Sequence, residues 1–277
     1  MQKRQKRLQK HKAHKLGIID QSMGKDAHKQ TVKQEKTKMK KPAGIILYKG
    51  ASALDRSREI VVIATLSSNN RKTGDMVQVW ILSEDTHPVQ LSADKQDHVI
   101  CGNCPHRQSL GGACYVNIGQ APAAVFKAYQ RGLYPVYDAS KHDALFKGRK
   151  IRLGAYGDPA AMPFEIAEHI VSLSDGHTAY THQQKHAGFD PRFLSLCMVS
   201  ADTPKQAAAA HAIGAKTFRI AVDITNKFDN EIECLSDSKG ISCHDCGICK
   251  GSSAPVSIVI AVHGSRKGNF LNNRKAA

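Results

Sequence analysis

One stretch constrains the fold more than any other. An apolar run, Leu194-Ser-Leu-Cys-Met-Val199, is followed by Thr203-Pro204 and an alanine-rich segment, then by Gly214 and a second apolar run, Thr217-Phe-Arg-Ile-Ala-Val222. Thr203 is placed to cap a helix whose first position is Pro204, and Gly214 to stop it. Strand, helix and strand in so short a span predict a crossover between two parallel strands. The same alternation occurs earlier, where Ile151-Arg-Leu-Gly-Ala-Tyr156 precedes the helical pattern Pro163-Phe-Glu-Ile-Ala-Glu-His-Ile-Val171. The expected class is therefore α/β, with a parallel sheet that is open or closed part-way into a barrel-like form. Function is expected at the carboxyl ends of its strands.

Upstream the rhythm differs. Gly44-Ile-Ile-Leu-Tyr48, Glu59-Ile-Val-Val-Ile-Ala64 and Met76-Val-Gln-Val-Trp-Ile-Leu82 are short β-type runs separated by turn-rich stretches, the pattern of a small antiparallel sheet. Before them lies a region of Lys, Gln and His with few large apolar residues. Residues 1–41 carry 14 Lys+Arg against 3 Asp+Glu, a net +11 of the chain's formal +16. Such a segment cannot bury enough apolar surface to order itself. Three regions are therefore expected: a disordered basic arm (1–42), a β-rich region (43–100), and an α/β metal-binding core (101–270) that includes a cysteine loop at 234–249.

The arm suits a polyanion. Lys3, Arg4, Lys6, Arg7 and Lys10 sit among good helix formers and are the expected nucleic-acid contacts, helical once phosphate neutralises their repulsion, with DNA ahead of RNA. No apolar stretch approaches the roughly 20 residues of a membrane span, and the basic start lacks the apolar core of a secretory signal. A cytoplasmic protein without a membrane partner is expected; no protein partner is indicated.

In a reducing compartment, clustered cysteines serve metals or chemistry better than disulfides. Seven of the eight cluster. Cys101-Gly-Asn-Cys104 is followed by Cys114 ahead of a helical stretch from about Pro122 to Gly132. Cys234, Cys243, Cys246 and Cys249 form a second set whose ligand count suits a tetrahedral zinc ion or a [4Fe–4S] cluster equally. Cys197, alone on an apolar run, reads as core. Redox-active dithiol chemistry is the other reading of Cys101 and Cys104. His106 and His244, beside cysteines, are either ligands or solvated loop residues. The group His177-Thr-Ala-Tyr-Thr-His182 is dense in histidine at an expected strand end, with His186 beyond it. His177, Tyr180 and His182 are catalytic candidates, Tyr180 as the nucleophile of a metal-dependent DNA-nicking reaction, although no His-apolar-His motif accompanies it. The alternative is a surface loop satisfying its own backbone. The phosphate-binding, dinucleotide-binding and serine-nucleophile motifs Gly-x-x-x-x-Gly-Lys-Ser/Thr, Gly-x-Gly-x-x-Gly and Gly-x-Ser-x-Gly are absent.

Two resemblances follow from these residues. Lys72-Thr-Gly-Asp-Met-Val-Gln-Val-Trp-Ile-Leu82, Cys101-Gly-Asn-Cys-Pro-His-Arg107, Cys114-Tyr-Val-Asn-Ile-Gly-Gln120, Tyr129-Gln-Arg-Gly-Leu-Tyr-Pro135 and Leu153-Gly-Ala-Tyr-Gly-Asp-Pro159, with the 234–249 segment, resemble a family of bacteriophage and prophage proteins across most of residues 44–265. Some members of that family are labelled replication proteins, and the resemblance implies a host-cytoplasmic location. The layout is also similar to that of radical S-adenosylmethionine enzymes: a three-cysteine loop before a helix, the last cysteine beside an aromatic residue, then a strand ending in Gly157-Asp158-Pro159. That likeness implies a [4Fe–4S] cluster on Cys101, Cys104 and Cys114 with one open iron, and S-adenosylmethionine held through Gly157 and Asp158, the latter orienting the cofactor. The spacing departs from the family's, with two and then nine residues between cysteines rather than three and then two.

The leading expectation is thus a phage or mobile-element iron–sulfur protein acting on nucleic acid. Its rival is a zinc-containing DNA-binding protein of rolling-circle replication initiation with Tyr180 as nucleophile.

Overall fold

The computed structural model describes residues 41–275. The basic-arm residues Lys3, Arg4, Lys6, Arg7 and Lys10 lie outside the described residues. Ten strands form two five-stranded sheets. The first contains β1 (Gly44–Ala51), β2 (Glu59–Thr65), β3 (Val77–Ser83), β4 (Lys150–Tyr156) and β5 (Gly176–Thr178) in sequence order. Pairing is antiparallel for β1–β2 and β2–β3 and parallel for β3–β4 and β4–β5. The expected antiparallel sheet is therefore real but continues into parallel strands, and the described residues from Pro42 onward fall in one compact unit. The reason lies in the core: β2 and β3 are nearly continuous apolar runs buried on both faces, so each needs cover from both sides and a neighbour along each edge.

The second sheet is all parallel, in the order β6 (Tyr180–Thr181), β7 (Met198–Ala201), β8 (Thr217–Ala221), β10 (Ser257–Ala261), β9 (Glu231–Glu233). Only Ala179 separates β5 from β6, so the chain passes from one sheet into the other across a single residue. Each ladder is open, with β1 and β5 at the edges of the first sheet and β6 and β9 at those of the second, and Ile46 of β1 bridges to Val136; the barrel-like form is not seen among the described residues.

The predicted crossover is present. The helix Pro204–Ala212 begins at Thr203, whose hydroxyl accepts from the Gln206 N–H while the Gln206 side chain accepts from the Thr203 N–H, a complete capping box. Its Ala210 packs with Val199, Ala215 and Leu194 on one face of the sheet. On the other face Met198, Ile258 and Ile260 pack with Cys234 and Cys249, which alternation along the strands requires. The strand expected over residues 194–199 begins late: Pro191–Ser195 is a 3-10 turn capped by Asp190, and the ladder starts at Met198. Cys197 is buried core, as its apolar setting indicated.

One buried ion pair ties the far edge of this sheet. Arg219 of β8 donates through Nε (2.8 Å) and Nη2 (2.6 Å) to the two carboxylate oxygens of Glu231 on β9, spanning β10, with both side chains almost fully buried. Removing one member leaves an uncompensated charge in the interior. Glu231→Gln is expected to lower unfolding stability by about 3 kcal/mol, read as a shifted midpoint at unchanged slope in urea.

Candidate functional site

The site grows from the end of β4. Gly157 and Asp158 follow the strand, and the Asp158 N–H donates to the Ile100 carbonyl (2.7 Å), which fastens the strand end to the short helix His98–Cys101. The buried Asp158 carboxylate takes four donors. Its Oδ1 accepts from the Ala160 N–H (3.0 Å) and the Thr181 hydroxyl (2.8 Å); its Oδ2 accepts from the His182 N–H (2.9 Å) and the Gln183 amide (3.2 Å). Burial raises its pKa against the pull of these hydrogen bonds.

Gln183, fully buried, then clamps the first cysteine turn. Its Nε2 donates to the Cys101 carbonyl (2.8 Å) and its Oε1 accepts from the Asn103 N–H (2.9 Å). Gly102, at φ 49°, makes room: a Cβ there would collide with the Gln183 carboxamide. Asp97 fixes the other arm of the loop, accepting from Arg107 Nη1 (3.1 Å) and the Ser109 N–H (3.3 Å). The Cys114 N–H donates to the His106 carbonyl (2.9 Å), an approach that a side chain at Gly112 would block.

These bonds converge three thiols. Burial first, then the nearby charges of Cys104 and Cys114, push the Cys101 thiol well above its usual value, and burial raises Cys114. Next to them stand His182, directly after β6, and Asp202, directly after β7, at the carboxyl ends of adjacent parallel strands. His182 Nδ1 lies 3.5 Å from the Cys104 sulfur, and His106 Nε2 lies 2.7 Å from Asp202 Oδ1. Burial disfavours the His182 imidazolium, but Cys104 and Asp202 outweigh it and hold its pKa well above the ordinary histidine value. Asp202 is held low by the two histidines despite its burial, and its N–H is anchored by the Gln206 side chain (2.7 Å), so the helix cap also positions the carboxylate.

The second cysteine group lies against the opposite face of the all-parallel sheet from the Pro204–Ala212 helix. Cys243 and Cys246 begin and end one helical turn capped by Ser242, which puts both sulfurs on one side. Cys234 follows β9, and the Cys249 carbonyl accepts from the Ala179 N–H. Cys249, pushed up to about 12 chiefly by burial, feels Cys234, Cys243 and Cys246 at once. Arg152 links the two groups: its Nη2 donates to the hydroxyl of Tyr115, the neighbour of Cys114, and its charge acts on Cys243.

All seven clustered cysteines are thus drawn into two groups, and the raised pKa values of Cys101, Cys114, Cys243 and Cys249 make these four poor free nucleophiles. The dithiol reading of Cys101 and Cys104 has no activated thiolate behind it at Cys101. Among the described residues, no three cysteine sulfurs lie within 4.8 Å of one another. A zinc–thiolate tetrahedron, with bonds of about 2.3 Å, needs sulfurs about 4 Å apart. Neither cysteine group brings three sulfurs to that spacing.

The other candidates separate. His177 Nε2 donates to the Leu196 carbonyl (2.9 Å) and burial keeps the ring neutral. Tyr180 packs on Phe218 (4.6 Å between rings) under Arg152 and beside Cys249, its pKa raised by burial. His177, Tyr180 and His182 therefore have different partners and do not assemble into one constellation. Asp158 is committed to internal donors, and a Cβ at Gly157 (φ 80°) would lie 2.7 Å from Ile81 Cβ. The Asp158 oxygens are thus filled from within the protein, and Ile81 accounts for the missing side chain at Gly157. His244, within the Cys243–Cys246 helical turn, is bonded to Asp245, and His186 accepts from the Gly188 N–H. Gln183 and Asp202 were missed by the sequence reading. The only sequence signals were Gly102 between two cysteines, and the position of Asp202 between a strand and its capping threonine.

Compared with models of known families, with curated proteins and with solved structures, the chain matches none. Among the described residues, no helix is long and apolar enough to cross a membrane.

Asp158→Asn tests the role of that carboxylate. Whichever way the amide turns, its NH2 faces two donors, so the variant is expected to lose about 2 to 4 kcal/mol of stability in chemical unfolding. A residue that served only a cofactor would leave the unfolding curve unchanged.

Proposed function

We propose that the protein is an iron–sulfur enzyme whose reactive centre is held by Cys101, Cys104 and Cys114 at the carboxyl ends of the parallel strands, and that it acts on nucleic acid gathered by the basic arm. The observation that carries this reading is the gathering of three half-buried cysteines, Cys101, Cys104 and Cys114, near the strand ends where His182 and Asp202 also emerge, with the Cys101 turn clamped through Gln183 and Asp158. Three protein ligands leave one iron of a cubane open to an outside ligand, and such a cluster supplies one-electron chemistry when bound. The positive charge of the iron would offset the burial that raises Cys101 and Cys114, because the metal replaces the thiol protons. Cys234, Cys243, Cys246 and Cys249 hold a second, closed centre that fixes the 234–249 loop against the sheet. Parallel order for β3, β4 and β5, with the three-cysteine loop between the first two, supports the likeness to radical S-adenosylmethionine enzymes. Where S-adenosylmethionine is the outside ligand, its amino group must find a partner other than Asp158, whose oxygens are occupied. The nicking alternative loses ground because the Tyr180 phenol is packed beneath Arg152 with no imidazole among its partners.

Anaerobically purified protein is expected to be brown, with broad visible absorbance and acid-labile sulfide. Cys104→Ser should lose the iron of one centre, and Cys246→Ser that of the other together with stability. Colourless protein carrying stoichiometric zinc would instead favour the structural-zinc alternative.

For the arm, deleting residues 2–41 is expected to weaken nucleic-acid binding and flatten its dependence on salt, since each phosphate contact releases counterions. Equal affinity and slope in a salt titration would remove the arm from the contact.

A further inference from the structure

We propose that His106, His182 and Asp202 form a separate binding site for a divalent cation of the Mn2+ or Fe2+ class, built from nitrogen and oxygen alone, beside the sulfur centre. One nitrogen from each imidazole and one carboxylate oxygen lie within 4.8 Å of one another, and this is the only such group of three or more His, Cys, Asp or Glu among the described residues. His106 Nε2 and His182 Nε2 approach the same oxygen, Asp202 Oδ1, at 2.7 and 3.6 Å.

His182 supplies the decisive detail. Its Nδ1 faces the Cys104 sulfur at 3.5 Å. Its Nε2 faces Asp202 Oδ1 at 3.6 Å, beyond hydrogen-bond reach. That Nε2 is buried and has no hydrogen-bond partner among the described residues. A buried ring nitrogen without a hydrogen bond is costly, and a cation bound to it and to the Asp202 oxygen would satisfy both. Two imidazoles and one carboxylate are the donor set of non-haem iron(II) and related sites, and they leave coordination positions for water or a substrate oxygen.

Each ligand is also held from behind, as metal ligands usually are. Cys104 orients His182, the Gln206 side chain anchors the Asp202 backbone, and the His106 carbonyl receives the Cys114 N–H while its ring lies 5.7 Å from that of Phe270. The three side chains are 13 to 18% exposed, enough for an ion to reach them. The proposal does not rest on what the cysteines hold, because Mn2+ prefers oxygen and nitrogen to thiolate.

The test is a Mn2+ titration of the full-length protein, followed by the loss of the six-line electron paramagnetic resonance signal of the free ion. One equivalent is expected to bind at micromolar concentrations. Asp202→Asn and His106→Gln should each weaken binding by more than the roughly tenfold cost of losing an outer-shell partner, while His186→Gln, whose ring bonds only its own turn, binds as the parent does. If Asp202→Asn disturbs the helix cap and fails to fold, His106→Gln, which leaves that cap intact, decides the matter. No bound Mn2+ in the parent, or undiminished binding in the folded His106→Gln protein, would overturn the proposal, leaving a shared proton as the charge between His182 and Asp202.

Discussion

Two oxygens of Asp158 hold four hydrogen-bond donors, and those four bonds connect the end of β4, the residue after β6 and the amide that clamps the first cysteine turn. A buried carboxylate is costly unless fully bonded, and here each oxygen has two partners. The geometry of the site follows from that saturation. The His182 backbone is fixed at the strand end, Gln183 is fixed beneath Cys101, and the loop carrying Cys104 and Cys114 has one place to lie.

The all-parallel sheet then divides the work between its faces. One face meets the alanine-rich helix, and the other meets the loop that contains the second set of cysteines. Small residues on the helix allow close approach to Val199, while the opposite face needs an apolar lid that a loop of glycine, serine and charged residues cannot provide by itself. Cys234 and Cys249, packed among Met198, Ile258 and Ile260, supply part of that lid with their sulfurs. A metal bound to them would convert a weakly structured loop into a rigid cover, since binding free energy there is folding free energy.

Much of this was legible in the amino-acid order. The Thr203-Pro204 signal specified a capped helix, and the structure has the complete box. The apolar runs of β1 to β3 were visible as strands because they are short, rich in Ile and Val, and bounded by turn-forming residues. The cysteine spacing identified both groups. The joining of the first sheet to parallel strands was not visible, because pairing between residues 77 and 151 depends on contacts far apart in the chain. The division of residues 176–181 into two strands on different sheets also escaped notice: a single residue, Ala179, separates them, and no turn-forming residue marks the change. Asp158 invited a cofactor role because its neighbours Gly157 and Pro159 resemble a ligand-binding strand end. Its actual partners, Thr181, His182 and Gln183, are over twenty positions away, and only folding brings them together.

The account stands on sulfur being the first neighbour of a metal at the strand ends. X-ray absorption at the iron edge of protein prepared without oxygen measures this directly. The expected spectrum has a dominant iron–sulfur shell with an iron–iron shell behind it, the latter reduced when Cys114 is replaced by serine. A spectrum with only nitrogen and oxygen neighbours, or protein that takes up no iron when its thiols are free, would contradict it.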